Sequence, residues 1–116
     1  MAEITVNNLL LRTIIGIKQE EREKKQDVKI SYSFRFDPKK AIETDNIEYT
    51  VDYKALNKDI IDIVEKSTYF LLEKLAAAIL KRIMKDPLVN SASVTVHKPF
   101  ALRFTDSVSI TLEDSK

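Results

Sequence analysis

Apolar and polar residues alternate along some stretches of the chain and fall at helical spacing along others. Together the two periods divide it into six elements. Residues 3 to 15 are rich in Ile, Val, Leu and Thr and predict a first strand that ends at Gly16. A charged stretch, Lys18 to Lys25, follows. From 27 to 37 the alternation is clean: Val28, Ile30, Tyr32, Phe34 and Phe36 lie on one face, and Lys29, Ser31, Ser33 and Arg35 on the other. That pattern predicts a half-buried strand, able to pair with the first as a long hairpin. Pro38 to Thr50 predicts a polar connection. From Tyr53, apolar residues recur at helical spacing in Leu56, Ile60, Ile63 and Val64. A break at Lys66-Ser67-Thr68 separates a second helix, whose stripe is Leu72, Leu75, Ile79, Leu80 and Ile83 and which ends before Pro87. Two strands close the chain. Ala92, Val94 and Val96 share a face within 91 to 97, and Val108, Ile110 and Leu112 within 107 to 112.

The order is ββααββ. A single antiparallel four-stranded sheet with both helices on one face buries every one of these apolar rows, which makes the expected class α+β. The other face then carries Ser, Thr, Lys and Arg. Such a sheet is open, and its edges must be covered or paired with other subunits. The 116 residues form one domain, 1 to 116, because two separate cores would each be too small.

Composition narrows the chemistry. The net charge is +1, from 19 basic and 18 acidic residues, so overall charge gives no reason to expect nucleic acid, a membrane surface or an acidic partner. The chain has no cysteine, which excludes a disulfide scaffold, a thiolate nucleophile and a cysteine zinc site. His97 is the only histidine, so one chain cannot build a histidine-rich metal site; a carboxylate site for magnesium or calcium stays open. Gly16 is the only glycine, so there is no phosphate-cradling glycine loop. No apolar run approaches the roughly 20 residues of a membrane span. The opening MAEITVNN lacks the basic and apolar regions of a signal peptide, and the expected location is the cytoplasm.

Four residues stand out. Lys98 continues the row of Ala92, Val94 and Val96 and is followed by Pro99. Alternation alone favours a strand that has ended and a lysine reaching solvent; the functional alternative is a proton-exchanging lysine at the end of the sheet. Glu73 lies in the first turns of the second helix. There it suits the positive end of the helix dipole, and equally offers the two-oxygen fork that accepts paired N–H groups from an aminopyrimidinone edge. Glu21 sits in a charge run and, taken alone, is no different from Glu20. Tyr53 opens the first helix in Val51-Asp52-Tyr53, either as a packing aromatic or as a hydroxyl for a substrate. These residues do not name a substrate.

Their order and spacing do carry a resemblance. Gly16-Ile17 followed by Glu21, then Val51-Asp52-Tyr53, then Phe70-Leu71-Leu72-Glu73-Lys74-Leu75, then Lys98-Pro99, together resemble the dihydroneopterin aldolase and dihydroneopterin triphosphate 2'-epimerase family over nearly the whole chain. Within it, Ala101-Leu102-Arg103-Phe104-Thr105-Asp106-Ser107-Val108-Ser109, and Leu11-Arg12-Thr13 running into Ile15-Gly16-Ile17-Lys18, look most like the epimerase branch. Aldolases usually carry Lys-Pro-Gly-Ala at the lysine; here Phe100 stands in place of that glycine.

The resemblance implies the tunnelling fold, in which ββααββ subunits join edge to edge into a ring-shaped barrel of four, often as two stacked rings. It implies sites between neighbouring subunits, a small-molecule pterin substrate, no metal or other cofactor, and no lysine imine. It implies that Glu73, with backbone near Leu72, holds the pterin ring. Tyr53, from the neighbouring subunit, would help position the ring and the side-chain hydroxyls, and Val51 and Asp52 would also meet the substrate. Lys98 and Glu21, with an ordered water, would handle protons. An epimerase of the triphosphate also needs a basic lining, for which Arg103, Arg12 and Lys18 are candidates on chemistry alone. The alternatives are a dihydroneopterin aldolase of folate biosynthesis and a non-catalytic pterin-binding assembly protein.

Overall fold

The computed structural model describes residues 1–116. Strand β1 (Ala2–Thr13) leads through a short helix α1 (Gln19–Glu23) into β2 (Gln26–Phe36). A second short helix α2 (Lys39–Thr44) and a 3-10 turn (Ile47–Tyr49) precede the two long helices, α3 (Tyr53–Lys66) and α4 (Leu72–Met84). Strands β3 (Ser91–Pro99) and β4 (Ser107–Ser115) finish the chain. All neighbouring strands are antiparallel and stand in chain order across one sheet. The expected α+β architecture holds, with additions where the connections are: both the charged stretch and the polar connection carry short helices. Neither buries a residue, so neither leaves an apolar stripe for periodicity to detect.

The core lies between the sheet and the two long helices. Val28, Ile30, Tyr32 and Phe34 of β2 and Val94 and Val96 of β3 face Leu56, Ile60 and Val64 of α3 and Leu75, Ile79 and Ile83 of α4. Burial pushes the Tyr32 phenol up to about 12, and its hydroxyl donates to Asn57 Oδ1 at 2.7 Å, which satisfies it under α3. Asp52 caps α3 by accepting from Ala55 N–H at 3.0 Å. Helix α3 lies over β1, and α4 over β3 and β4.

Strand β1 keeps its apolar face through a bulge. Val6 pairs with Tyr32 and Leu9 with Ile30, so Asn7 and Asn8 together oppose Ser31. Asn8 takes φ 57° and its N–H donates to Ser31 Oγ at 3.0 Å. The molecule is elongated, 52 × 25 × 21 Å, and its radius of gyration of 15.5 Å exceeds the roughly 13 Å of a compact domain of this length. An open sheet with free edges on β1 and β4 accounts for that shape. No helix is long and apolar enough to cross a membrane.

Candidate active site

β3 continues past the point where sequence favoured its end. Lys98 still pairs with Val108, keeps to the core-facing row, and is only 9% exposed. A lysine withdrawn this far needs a partner, and Glu21 supplies one. Lys98 Nζ donates to Glu21 Oε2 in a salt bridge whose side chains are 11% and 20% exposed. The other carboxylate oxygen, Oε1, accepts from Lys18 N–H at 3.2 Å. The Lys98 hydrogen bond holds the Glu21 carboxyl below its ordinary 4.5, outweighing burial, which acts the other way.

Gly16 makes that approach possible. It is buried with φ 127°, a conformation L side chains rarely adopt, and a Cβ there would collide with the Glu21 carboxylate. Thus Glu21 is singled out from its charge run by a backbone feature, the one glycine that leaves it room. A cavity of about 360 Å³ opens on the pair, lined by Lys18, Glu20, Glu21, Lys98, Phe100 and Ala101. A larger hollow of about 560 Å³ lies on the polar face of the sheet among Ser33, Arg35, Ser93 and Glu113, and brings no lysine against a carboxylate. No cluster of three or more His, Cys, Asp or Glu is arranged to hold a metal ion.

Two residues that periodicity passes over tie this corner to the link between α3 and α4. Thr13, fully buried, meets Ser67 twice: its hydroxyl donates to the carbonyl at 2.9 Å and pairs with the hydroxyl at 3.1 Å. Arg22 Nη1 donates to Gly16 O at 3.1 Å and Tyr69 O at 3.0 Å, Nη2 donates to Thr68 O at 2.6 Å, and the guanidinium lies 4.0 Å from the centre of the Phe70 ring. In sequence Arg22 is one more charge in a charged run.

The link leads directly into α4. Leu72 is its first residue and Glu73 sits exposed in its first turn. The four salt bridges of the chain are Arg12–Asp27, Lys66–Asp62, Arg82–Asp59 and Lys98–Glu21, so none engages Glu73. Phe70 and Leu71 are also exposed, at 60% and 52%.

Val51, Asp52 and Tyr53 lie elsewhere. They stand at the start of α3, whose opposite end is fixed beside Thr13 by Ser67. The 14 residues of α3 span about 20 Å at 1.5 Å per residue, so Tyr53 sits far from the Lys98–Glu21 pair of its own chain. Val51 is buried, whereas Tyr53 is half exposed. Among the basic candidates, Lys18 lines the cavity. Arg12 pairs with Asp27 at 3.4 Å on the polar face of the sheet. Arg103 stands in the exposed hairpin between β3 and β4, 5.2 Å from the ring centre of Phe104.

Comparison with known proteins gives this corner a context. Residues 4–113 match the family model described as dihydroneopterin aldolase. The chain is 46% identical over 112 residues to the dihydroneopterin triphosphate 2'-epimerase of Pseudomonas aeruginosa, covering 97% of this chain and 91% of that one. It is 40% identical over 111 residues to the enzyme of the same name from Escherichia coli K12, covering 96% and 92%. The dihydroneopterin aldolase of Haemophilus influenzae is more distant, at 24% over 110 residues, covering 95% and 93%. The crystal structure of Escherichia coli dihydroneopterin aldolase in complex with neopterin superposes with a TM-score of 0.93 at 19% identity, covering 99% of this chain and all of that one, which establishes the shared fold.

Proposed function

The chain belongs to the dihydroneopterin aldolase family, and on that premise we propose that it is an epimerase acting at C2' of 7,8-dihydroneopterin 3'-triphosphate. The observation that carries the reading is the Lys98–Glu21 pair, shielded from water yet facing a cavity. A lysine and a carboxylate in contact pass a proton between them without a metal, as general acid–base chemistry requires. The higher identity to proteins named epimerase supports that branch over the aldolase.

In this reading the exposed Glu73 carboxylate accepts the amino and ring N–H groups of the pterin, with backbone near Leu72 assisting. The Lys98–Glu21 pair, with a water, removes the 2'-hydroxyl proton. The C1'–C2' bond breaks, the 2'-oxygen becomes an aldehyde, and the electron pair left at C1' delocalises into the ring imine. The pterin is its own electron sink. Re-addition of C1' to the opposite face of the aldehyde inverts C2', and the proton returns to the new hydroxyl. Protonation at C1' instead releases the aldehyde, which is the aldolase outcome.

Tyr53, with Val51 and Asp52, comes to the pair from a neighbouring subunit. Its distance from Lys98 along α3 supports this, as do the unpaired edges of β1 and β4, which suit assembly into a ring of four or a double ring. Lys18 is the basic residue best placed for the triphosphate end, and Arg12 and Arg103 are secondary candidates. We take its setting to be the cytoplasm.

Incubating the purified protein with the free and the triphosphorylated pterin, and resolving products by chromatography, tests the reading. The expected product is the C2' epimer of the triphosphate. Glycolaldehyde and 6-hydroxymethyl-7,8-dihydropterin as dominant products from the unphosphorylated substrate would establish the aldolase instead.

A further inference from the structure

We propose that Arg22 is a positioning residue that sets the spacing between the Lys98–Glu21 pair and the start of α4, where Glu73 stands. The inference deepens the functional reading above and rests on it.

The geometry is a clasp between two segments distant in sequence. One guanidinium spans Gly16 O on the loop that admits Glu21 and both Thr68 O and Tyr69 O on the α3–α4 link. It also lies over the Phe70 ring, which remains 60% exposed. Arg22 directly follows Glu21 on α1, so the residue that pairs with Lys98 and the residue that grips the link share one short helix. Three carbonyls in one planar fork is a task for arginine; lysine presents a single ammonium and cannot reproduce the fork or the flat stacking surface. Loosening this clasp leaves each half of the site intact and frees one half to move against the other. Loss of alignment by about 1 Å is enough to cost on the order of a hundredfold in rate.

The test compares wild type, Arg22→Ala and Arg22→Lys by turnover and by equilibrium binding of a non-reactive pterin, neopterin. In Arg22→Ala, kcat is expected to fall roughly ten- to a hundredfold while neopterin affinity changes little, because Glu73 itself is untouched. Arg22→Lys is expected to recover only part of the loss, and ethylguanidinium added to Arg22→Ala to restore part of kcat. Wild-type kcat in a folded Arg22→Ala overturns the proposal. So does a parallel loss of kcat and affinity without guanidinium rescue, which marks a merely structural role. A wild-type protein that turns over neither pterin sinks the functional reading itself, a result distinct from both.

Discussion

The two ends of α3 make an instructive contrast. At its C-terminal end, Ser67 and the link beyond it are gripped by Thr13 and Arg22, and the Lys98–Glu21 pair lies assembled on the same side. At its N-terminal end, Val51, Asp52 and Tyr53 join no salt bridge, and the Tyr53 ring is half exposed. One chain therefore assembles a shielded lysine–carboxylate pair and, about 20 Å away, leaves Val51-Asp52-Tyr53 apart from it. The difference teaches that a motif list can join residues that a single fold keeps apart, and that such separation is itself informative about assembly.

The largest effect should come from the assembled end. Lys98→Ala is expected to lower turnover by a factor on the order of 10² to 10⁴, the usual range for a general acid–base group. It should also cost stability of about 1–3 kcal/mol, read by denaturant titration, since a shielded carboxylate loses its partner. Retained turnover would transfer the chemistry away from this corner.

The next experiment addresses the contrast itself. Lys98→Ala and Tyr53→Ala, each impaired alone, are mixed, dissociated and reassembled. Sites built from two chains should recover about a quarter of wild-type activity, since random mixing restores both residues at one site in four around a symmetric ring. No recovery from properly reassembled mixtures would mean that each chain works alone.

Gly16→Ala should have an intermediate effect. The added Cβ displaces the Glu21 carboxylate, and the backbone at φ 127° resists any side chain. A loss of roughly 1–3 kcal/mol is expected from the strained backbone alone, with turnover falling alongside it. Unchanged pH and rate profiles would show that Glu21 has room the structure does not give it.

The smallest effect is in acid. Lys98 holds the folded Glu21 carboxyl below 4.5, so the unfolded chain binds that proton more readily. The pair's contribution to stability is therefore fully present above about pH 4.5 and fades as pH falls through the lower folded value. Glu21→Gln should remove that contribution and make the acid limb of the stability profile shallower. An unchanged slope would mean that Glu21 titrates alike in both states.

The fold was largely legible in the sequence because alternation and helical spacing report burial directly, as in Val28 to Phe36 and Leu56 to Val64. The short helices α1 and α2 were not, because they bury nothing. Alternation placed Lys98 on the right row but favoured solvent for it. What reversed that was Glu21, 77 positions away in sequence, and no local pattern reports a partner so distant. Glu21 itself was separated from Glu20 only by resemblance; the physical reason is the room left at Gly16. Arg22 and Thr13 carried no signal because their partners are backbone carbonyls and a serine, which any sequence provides.

The bulge at Asn7 and Asn8 has a consequence for parity. Before it the core-facing residues of β1 are even, Ala2, Ile4 and Val6; after it they are odd, Leu9, Leu11 and Thr13. Deleting either asparagine would restore unbroken alternation, the tidier pattern on paper, and would turn Leu9, Leu11 and Thr13 out toward the polar face or drag the first half out instead. Thr13 would then lose Ser67, and with it one of the two grips on the link before Glu73. An irregular count of residues midway along β1 is thus what keeps its far end in phase with the Lys98–Glu21 corner.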